Sequence, residues 1–341
     1  MMKLITFVIP CYNSAEYIGK CIESLLPGGD RIEIILVDDG STDETASICD
    51  EYSERHSELI RTIHQENSGH GGAINTGLRY ATGRYFKIVD SDDWVNTDAL
   101  NQVLTQLEAF QRMEIAPDLL ITNYVYEDRL NDTQKPMRYT NVLPQNRVFS
   151  WDDMGKFRIS QYLLMHSVCY RTQLLRDCGI ELPKHTYYVD NLFVYQPLPA
   201  VKHIYYLNVD FYRYLIGREG QSINQAVMVR RVDQQIKITK LMIQSRNLGE
   251  IKKSQPKLAR YMLSYLSMMM TISSLLLIIG GAGKYKTQKK ELWLYLRQMN
   301  PSVSYRIRYR SLYATTVVPG YFGNALVLLI YHVARKIYHF N

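Results

Sequence analysis

The sequence predicts an α/β fold: a mostly parallel β-sheet covered by helices, followed by a helical, basic C-terminal extension. Two patterns carry this. Over residues 1–128, short β-branched and aliphatic runs alternate with stretches of helical periodicity, and the runs are apolar on both faces, as in a sheet buried between helix layers. From residue 226 the periodicity is helical throughout, and residues 251–341 carry 14 Lys and Arg against one acidic residue, Glu291.

Taken in order, LITFVIP (4–10), IEIILVDD (32–39), LIRTIHQ (59–65), RYFKIVD (84–90) and DLLITNYVYED (118–128) read as strands. Helices fit between them at about 14–27, 43–56, 71–82 and 97–112. The alternation then weakens into a polar loop (131–147), a helical stretch (151–165), the segments HSVCYRTQLLRDCGI (166–180) and HTYYVDNLFVYQPL (185–198), and a strand pair over 201–216. Residues 1–225 are read as one domain, with 1–128 the ligand-binding half and 129–225 the half that shapes an acceptor site; 226–341 form the helical region. YMLSYLSMMMTISSLLLIIGGAG (261–283) has no charge and is long enough to span a membrane, but its serines, threonine and tyrosines favour a helix buried in protein or lying in the headgroup layer. The run after Pro319, with Arg335, Lys336 and several tyrosines, reads as a surface-lying helix.

Composition supports a folded chain: of 341 residues, 46% are hydrophobic and 21% charged. Five cysteines without a CxxC pair suggest neither a disulfide framework nor a zinc ribbon, and a cytoplasmic setting is expected. MMKLITFVIPCYNS reads as a first strand, not a signal peptide. The net charge of +7 resides in the tail, which points to an anionic membrane surface or to nucleic acid.

In a parallel sheet ligands bind at the carboxyl ends of the strands, which sets Pro10 to Asn13, Asp38 to Asp43 and Asp90 to Asp93 along one edge. VDDGSTD (37–43) is a strand-to-helix junction in which Gly40 makes the turn and Ser41 or Thr42 caps. Capping alone leaves Asp38 unused, and a strand-end carboxylate can accept from a base N–H or ribose hydroxyls. DSDD (90–93) clusters carboxylates that repel unless a cation offsets them. With oxygen donors and no convergent His or Cys, that cation is Mg2+ or Mn2+, bridging to a substrate diphosphate. Asp93 is expected only to begin the turn before the next helix, and Trp94 to pack. A haloacid-dehalogenase D-x-D-G-T motif fails at Val37, an EF-hand loop fails at Trp94, and no GxGxxG or GxxxxGK[ST] follows a strand.

In this order and at these distances, FVIPCYNSAEYIGKCIESLL, ILVDDGSTDET and NSGHGGAINTGLRYATGRYFKIVDSDDWV resemble the family 2 glycosyltransferases with the GT-A fold, over residues 3–225. The resemblance implies that Pro10, Tyr12 and Asp39, with Asp38, hold a uridine and that Asn67 and Gly72 to Asn75 line the nucleotide-sugar site. It further implies that Asp90, Ser91 and Asp92 form the DxD motif, with Asp92 nearest the metal. The family's acidic pair before an aromatic segment is here YYVDNLF, with Val189 in the first place and Asp190 retained as the base. Among aromatic neighbours Asp190 would be partly desolvated and its pKa raised toward that of a general base. YRYLIGREGQS resembles the family's late basic loop, and Arg218, Gln221 and Ser222 match the residues that meet the diphosphate. His166 reads by default as a satisfied, partly buried histidine.

The activity so implied is inverting, metal-dependent transfer of a hexose from a UDP-sugar to a glycan hydroxyl in surface polysaccharide synthesis. The acceptor is expected to be undecaprenyl-diphosphate-linked, the tail to hold the enzyme peripherally on the inner face of the cell membrane, and nucleic acid not to be a partner; a homo-oligomer is left open. Two rivals stand beside this reading. A sugar nucleotidyltransferase normally carries a Gly- and Arg-rich N-terminal loop, which PCYNSAEY lacks; a non-catalytic membrane or nucleic-acid-binding module would make the tail the active part.

Overall fold

The computed structural model describes residues 3–158, 161–217, 225–281 and 284–310. Arg218, Gln221, Ser222 and the helix expected after Pro319 lie outside them. The chain divides into two compact units, Met1–Ile216 and Gly217–Asn341.

The first unit begins with β1 (Ile5–Cys11), α1 (Ile18–Leu25), β2 (Ile32–Asp38), α2 (Thr45–Arg55), β3 (Ile60–His64) and α3 (Gly69–Tyr80). It continues with β4 (Tyr85–Ile88), β5 (Trp94–Val95), α4 (Thr97–Gln111), β6 (Leu119–Asp128), β7 (Thr133–Met137) and β8 (Val148–Phe149). Last come β9 (Val168–Arg171), α5 (Thr172–Asp177), α6 (Asp190–Tyr195) and β10 (Ile204–Ile216). The sheet runs β3-β2-β1-β4-β9-β6-β10-β5, with β7 on β6 and β8 on β10. Strands β3, β2, β1 and β4 are parallel, whereas β9 joins β4 to β6 antiparallel to both.

Helix α1 shows why the parallel half is legible. Ile18, Cys21, Ile22 and Leu25 recur at helical spacing and are its buried residues. Each fully buried aliphatic side chain contributes about 1.5–3 kcal/mol. Helix α4 starts where the Asn96 side chain accepts from the Ala99 amide at 2.9 Å. In the mixed half Asp118 stitches elements together, accepting from Arg171 at 2.8 Å and from the Lys202 and His203 amides at 2.9 and 3.1 Å.

Three expectations change here. The described residues of the 151–165 stretch hold a short 3-10 turn at Trp151–Asp153 and no α-helix, because Met154 is extended and the Gly155 amide donates to Val142 O at 2.7 Å. Residues 201–216 hold one long strand, β10, not a pair. Part of the polar loop is a strand, β7, exposed along most of its length.

The described residues of the second unit form α7 (Gln225–Arg230), α8 (Val232–Ser245), α9 (Leu248–Ser254), α10 (Pro256–Ile279), α11 (Lys284–Met299) and α12 (Pro301–Arg310). Helix α10 packs against α8, α9 and α11, and α12 against α11. Its hydroxyls find partners within the bundle: Ser273 Oγ lies 2.9 Å from Thr239 Oγ1, and Ser274 Oγ accepts from Trp293 Nε1 at 3.2 Å. All five cysteines are free thiols.

Candidate active site

The parallel register brings the acidic strand ends together. Cys11 pairs with Asp38 and Val8 with Ile88, while the Asp39 amide donates to Cys11 O and the Val89 amide to Val8 O. Pro10 lies next to the end of β1, and Tyr12 just beyond the strand is 52% exposed, leaving an aromatic face open beside the Asp38–Thr42 turn. Asn13, in the left-handed region at φ 49°, braces that turn by accepting from the Thr42 amide at 2.8 Å.

Both carboxylates of VDDG are buried and engaged. Asp38 accepts from the Ser41 amide at 3.1 Å and pairs with His64 Nδ1 at 2.9 Å, and the bonds to Asp38 and then Asp50 raise the His64 pKa. Asp39 accepts from Gln65 Nε2 at 2.6 Å and from the Ser68 and Gly69 amides at 2.8 and 2.7 Å. A carboxylate there satisfies amide donors at the start of α3 and suits its dipole. Asn67 donates to Asp39 O at 2.9 Å. A Cβ on Gly40 (φ 74°) would stand 3.1 Å from the Asn67 amide, so the turn needs glycine.

The glycines of α3 let another segment approach. A Cβ on Gly71 would lie 2.6 Å from Pro183 O, and one on Gly72 2.4 Å from the Ser68 Cβ. Asn75 grips Leu182 by both backbone groups, donating to its carbonyl at 2.8 Å and accepting its amide at 2.9 Å. Segment 182–189 thus rests on α3 and leads to Asp190, through His185 and Tyr188, both in the left-handed region at φ 47° and 66°. Asp190 is the first residue of α6, and burial pushes its pKa up to about 6; His70 opposes this and Asp90 adds to it. Val189 is buried, so the position before Asp190 offers no second base.

Asp90 sits opposite the start of α3. His70 Nε2 lies 2.9 Å from Asp90 Oδ1. Burial alone would raise the Asp90 pKa, but the His70 bond and the charges of His70 and Lys87 hold it below the ordinary carboxylate value. Lys87 is fully buried, and its Nζ donates to His166 O at 2.7 Å. Burial lowers the His70 pKa, but Asp90, then Asp190 and Asp39, outweigh it and leave the net shift upward.

Two expectations about DSDD are corrected. Histidines do converge: among the described residues Asp90, Asp93 and His166 each offer a ligand atom within 4.8 Å of the others. His166 is buried, its ring stacks on Tyr212 at 4.6 Å, and its Nδ1 has no hydrogen-bond partner. Burial lowers its pKa to about 4, which leaves the imidazole neutral. Nor does Asp93 merely begin a turn: it is buried and accepts from the Tyr212 hydroxyl at 2.6 Å and the Leu215 amide at 2.8 Å. Trp94 does pack, with Lys20 Nζ 3.0 Å from its ring centroid.

A divalent cation fits these residues. A neutral imidazole whose Nδ1 has no hydrogen-bond partner, beside carboxylates, is a mixed nitrogen and oxygen donor set for a divalent cation. Asp93 is the weakest donor because both its oxygens are taken, whereas Asp90 and the half-buried Ser91 and Asp92 share the turn. Sequence reasoning missed His70, although it sits inside the NSGHGG motif, and missed Lys87, which reads as an ordinary strand residue.

Residues 6–160 match the family described as glycosyl transferase family 2. The glycosyltransferase GlyA of Streptococcus pneumoniae is 30% identical over 229 residues, 64% of this chain and 31% of that protein. The poly(ribitol-phosphate) beta-N-acetylglucosaminyltransferase TarS of Staphylococcus aureus is 27% identical over 233 residues, 66% of this chain and 38% of TarS. The chain thus spans about a third of the length of these relatives. The crystal structure of TarS residues 1–349 in complex with UDP-GlcNAc superposes with a TM-score of 0.69 at 20% identity, covering 98% of this chain and 91% of that one, which is a likeness of fold. With its parallel half, its acidic strand ends and the match over residues 6–160, the chain carries a glycosyl transferase family 2 domain and has the GT-A fold.

Proposed function

We propose that the protein transfers a hexose from a UDP-sugar to a hydroxyl of a surface-polysaccharide acceptor, with inversion at the anomeric carbon. The observation that carries the mechanism is Asp190, whose pKa burial raises to about 6, close to Asp90 and His70 at the carboxyl edge of the sheet. Asp190 takes the acceptor proton while the acceptor oxygen forms its bond to the anomeric carbon and the bond to the UDP oxygen breaks. One displacement inverts that carbon and needs no covalent enzyme intermediate. A carboxyl with a pKa near 6 is ionised at neutral pH, yet basic enough to accept the proton as the hydroxyl attacks.

Pro10, the exposed Tyr12 and the Asp38–Asp39 turn are assigned to the uridine, Asn67 and Gly72 to the wall of the nucleotide-sugar site, and Asn75 to anchoring the segment behind that wall. Asp90, Ser91 and Asp92, with His166 adjacent, would hold Mn2+ or Mg2+, which supplies charge stabilisation for the departing diphosphate. Arg218, Gln221 and Ser222 are assigned to the same diphosphate. TarS, named for a poly(ribitol-phosphate) acceptor and crystallised with UDP-GlcNAc, supports a UDP-sugar donor and a polymer acceptor. The catalytic domain is assigned to residues 1–225. Segment 251–341 is taken to hold the enzyme on the inner face of the cell membrane, where an undecaprenyl-diphosphate-linked acceptor would be met.

The test is a screen of UDP-sugars for UDP release that depends on both a divalent cation and an acceptor. Unaltered release by Asp190→Asn or Asp92→Ala would sink the mechanism.

A further inference from the structure

The apolar helix and the apolar surface of the C-terminal unit are different elements. Helix α10 is long and apolar enough to cross a membrane, but most of its apolar window is buried inside the protein and its Ser273 and Ser274 are bonded to α8 and α11. Among the described residues of this unit, the large apolar side chains left in solvent are Leu294 (52% exposed) and Met299 (50%) on α11, and Tyr305 (56%) and Tyr309 (62%) on α12. Val303 and Ile307 are buried while Tyr305 and Tyr309 face out, with their rings 5.1 Å apart. Arg297, Arg306 and Arg308 are exposed among them, and the Arg308 guanidinium carbon lies 5.5 Å from the Tyr309 ring centroid. No Asp or Glu occurs from residue 292 to the end of the chain.

We infer that the exposed face of α11 and α12 is a docking surface for an anionic phospholipid bilayer. The inference rests on the membrane attachment proposed above and names the side chains that make it. Charge complementarity selects the partner: exposed arginines that form no ion pair among the described residues pair with lipid phosphates, and tyrosines settle at the headgroup level. Leu294 and Met299 exclude a purely electrostatic partner, since a nucleic acid or an anionic polymer would leave them in water whereas acyl chains accept them. The contact lies in the membrane plane, and α10 stays in the protein core.

The test is co-sedimentation of the full chain with vesicles of equal parts phosphatidylglycerol and phosphatidylcholine, against vesicles of phosphatidylcholine alone. The wild type should bind the first and not the second. Arg297→Gln with Arg306→Gln and Arg308→Gln should weaken binding at least tenfold, because each basic residue near an anionic surface is worth about a factor of five. Leu294→Ser with Tyr305→Ser should also weaken it, and both variants should keep the wild-type Tm and UDP release with a water-soluble acceptor. Failure of the wild type to bind anionic vesicles overturns the attachment and this surface together. Binding that survives in both variants overturns this surface alone. An arginine-dependent association with duplex DNA, untouched by the Leu294 and Tyr305 changes, would make the surface a polyanion site and also overturn the inference.

Discussion

The Tyr212 hydroxyl donates to Asp93 Oδ2 at 2.6 Å and accepts the Asp90 amide at 3.1 Å, so one side chain of β10 fixes both ends of the DSDD turn. The Leu215 amide takes the other Asp93 oxygen, and the His166 ring stacks on the Tyr212 ring. Two of the clustered carboxylates therefore have different duties. Asp93 ties the turn to the sheet, and Asp90 stays ionised toward the site.

That division predicts opposite phenotypes for neighbours. Asp93→Ala and Tyr212→Phe should each lower stability by about 1–3 kcal/mol in urea denaturation, since each strands a buried hydrogen-bonding group. Asp92→Ala should act on Mn2+ affinity, read by electron paramagnetic resonance of the free ion, in preference to stability. Loss of Mn2+ binding in Tyr212→Phe with stability unchanged would reverse the assignment.

Asp190 gives the pH dependence. Its folded pKa of about 6 lies above the ordinary 3.8, and the base works ionised, so activity should rise tenfold per pH unit below about 6 and level off above it. A bound cation would move the midpoint lower. The sign for stability is the reverse. A raised carboxyl pKa means the folded state holds the proton more tightly, so this group costs stability at neutral pH and ceases to as pH falls through 6 toward 3.8. Discounted for partial exposure, Asp190→Asn should stabilise the protein by about 1–2 kcal/mol at pH 7 and by almost nothing below pH 4. It should cost a factor of about 10²–10⁴ in kcat. Thermal melts across pH beside rate profiles check both signs.

How much of this was legible follows from where each partner lies in the chain. The first four strands carry their own signal in short apolar runs, and β2 and β4 lead into Asp. Strand β10 reads as two strands because Asn208 and Asp210 look like a turn, yet the Asn123 amide donates to both at 2.9 Å and the register shifts there into a bulge. The 151–165 run has helical spacing, but the Gly155 amide is claimed by Val142, a tertiary bond that no local pattern reports. In the site, the carboxylates announce themselves as clusters. His166 and Tyr212 reach them from far along the chain, and only the folded β10 and the segment before β9 bring them in.

Asn75 separates a clamp from a ligand contact. Its amide holds both backbone groups of Leu182 and so anchors the segment that delivers Asp190. Asn75→Ala should destabilise the protein by about 1–3 kcal/mol and lower kcat while leaving UDP affinity, measured by calorimetry, near wild type. A large loss of UDP affinity with kcat preserved would instead place Asn75 against the nucleotide.

Gly77 and Gly83 both lie against β1, but the obstacles differ. A Cβ on Gly77 would meet the Val8 side chain at 2.3 Å, whereas one on Gly83 would meet Thr6 N at 2.4 Å and Ile5 C at 2.6 Å. Side chains can be trimmed and strand backbone cannot. Gly77→Ala should cost about 1–3 kcal/mol by overpacking and should be partly rescued by Val8→Ala, which opens the space the methyl needs. Gly83→Ala should cost more than about 3 kcal/mol, because relief requires moving β1 out of its register with β2 and β4. Thr6→Ala should not rescue it. Paired thermal melts of the single and double variants decide the matter, and equal rescue at the two sites would show that β1 yields where its pairing on both sides says it is held.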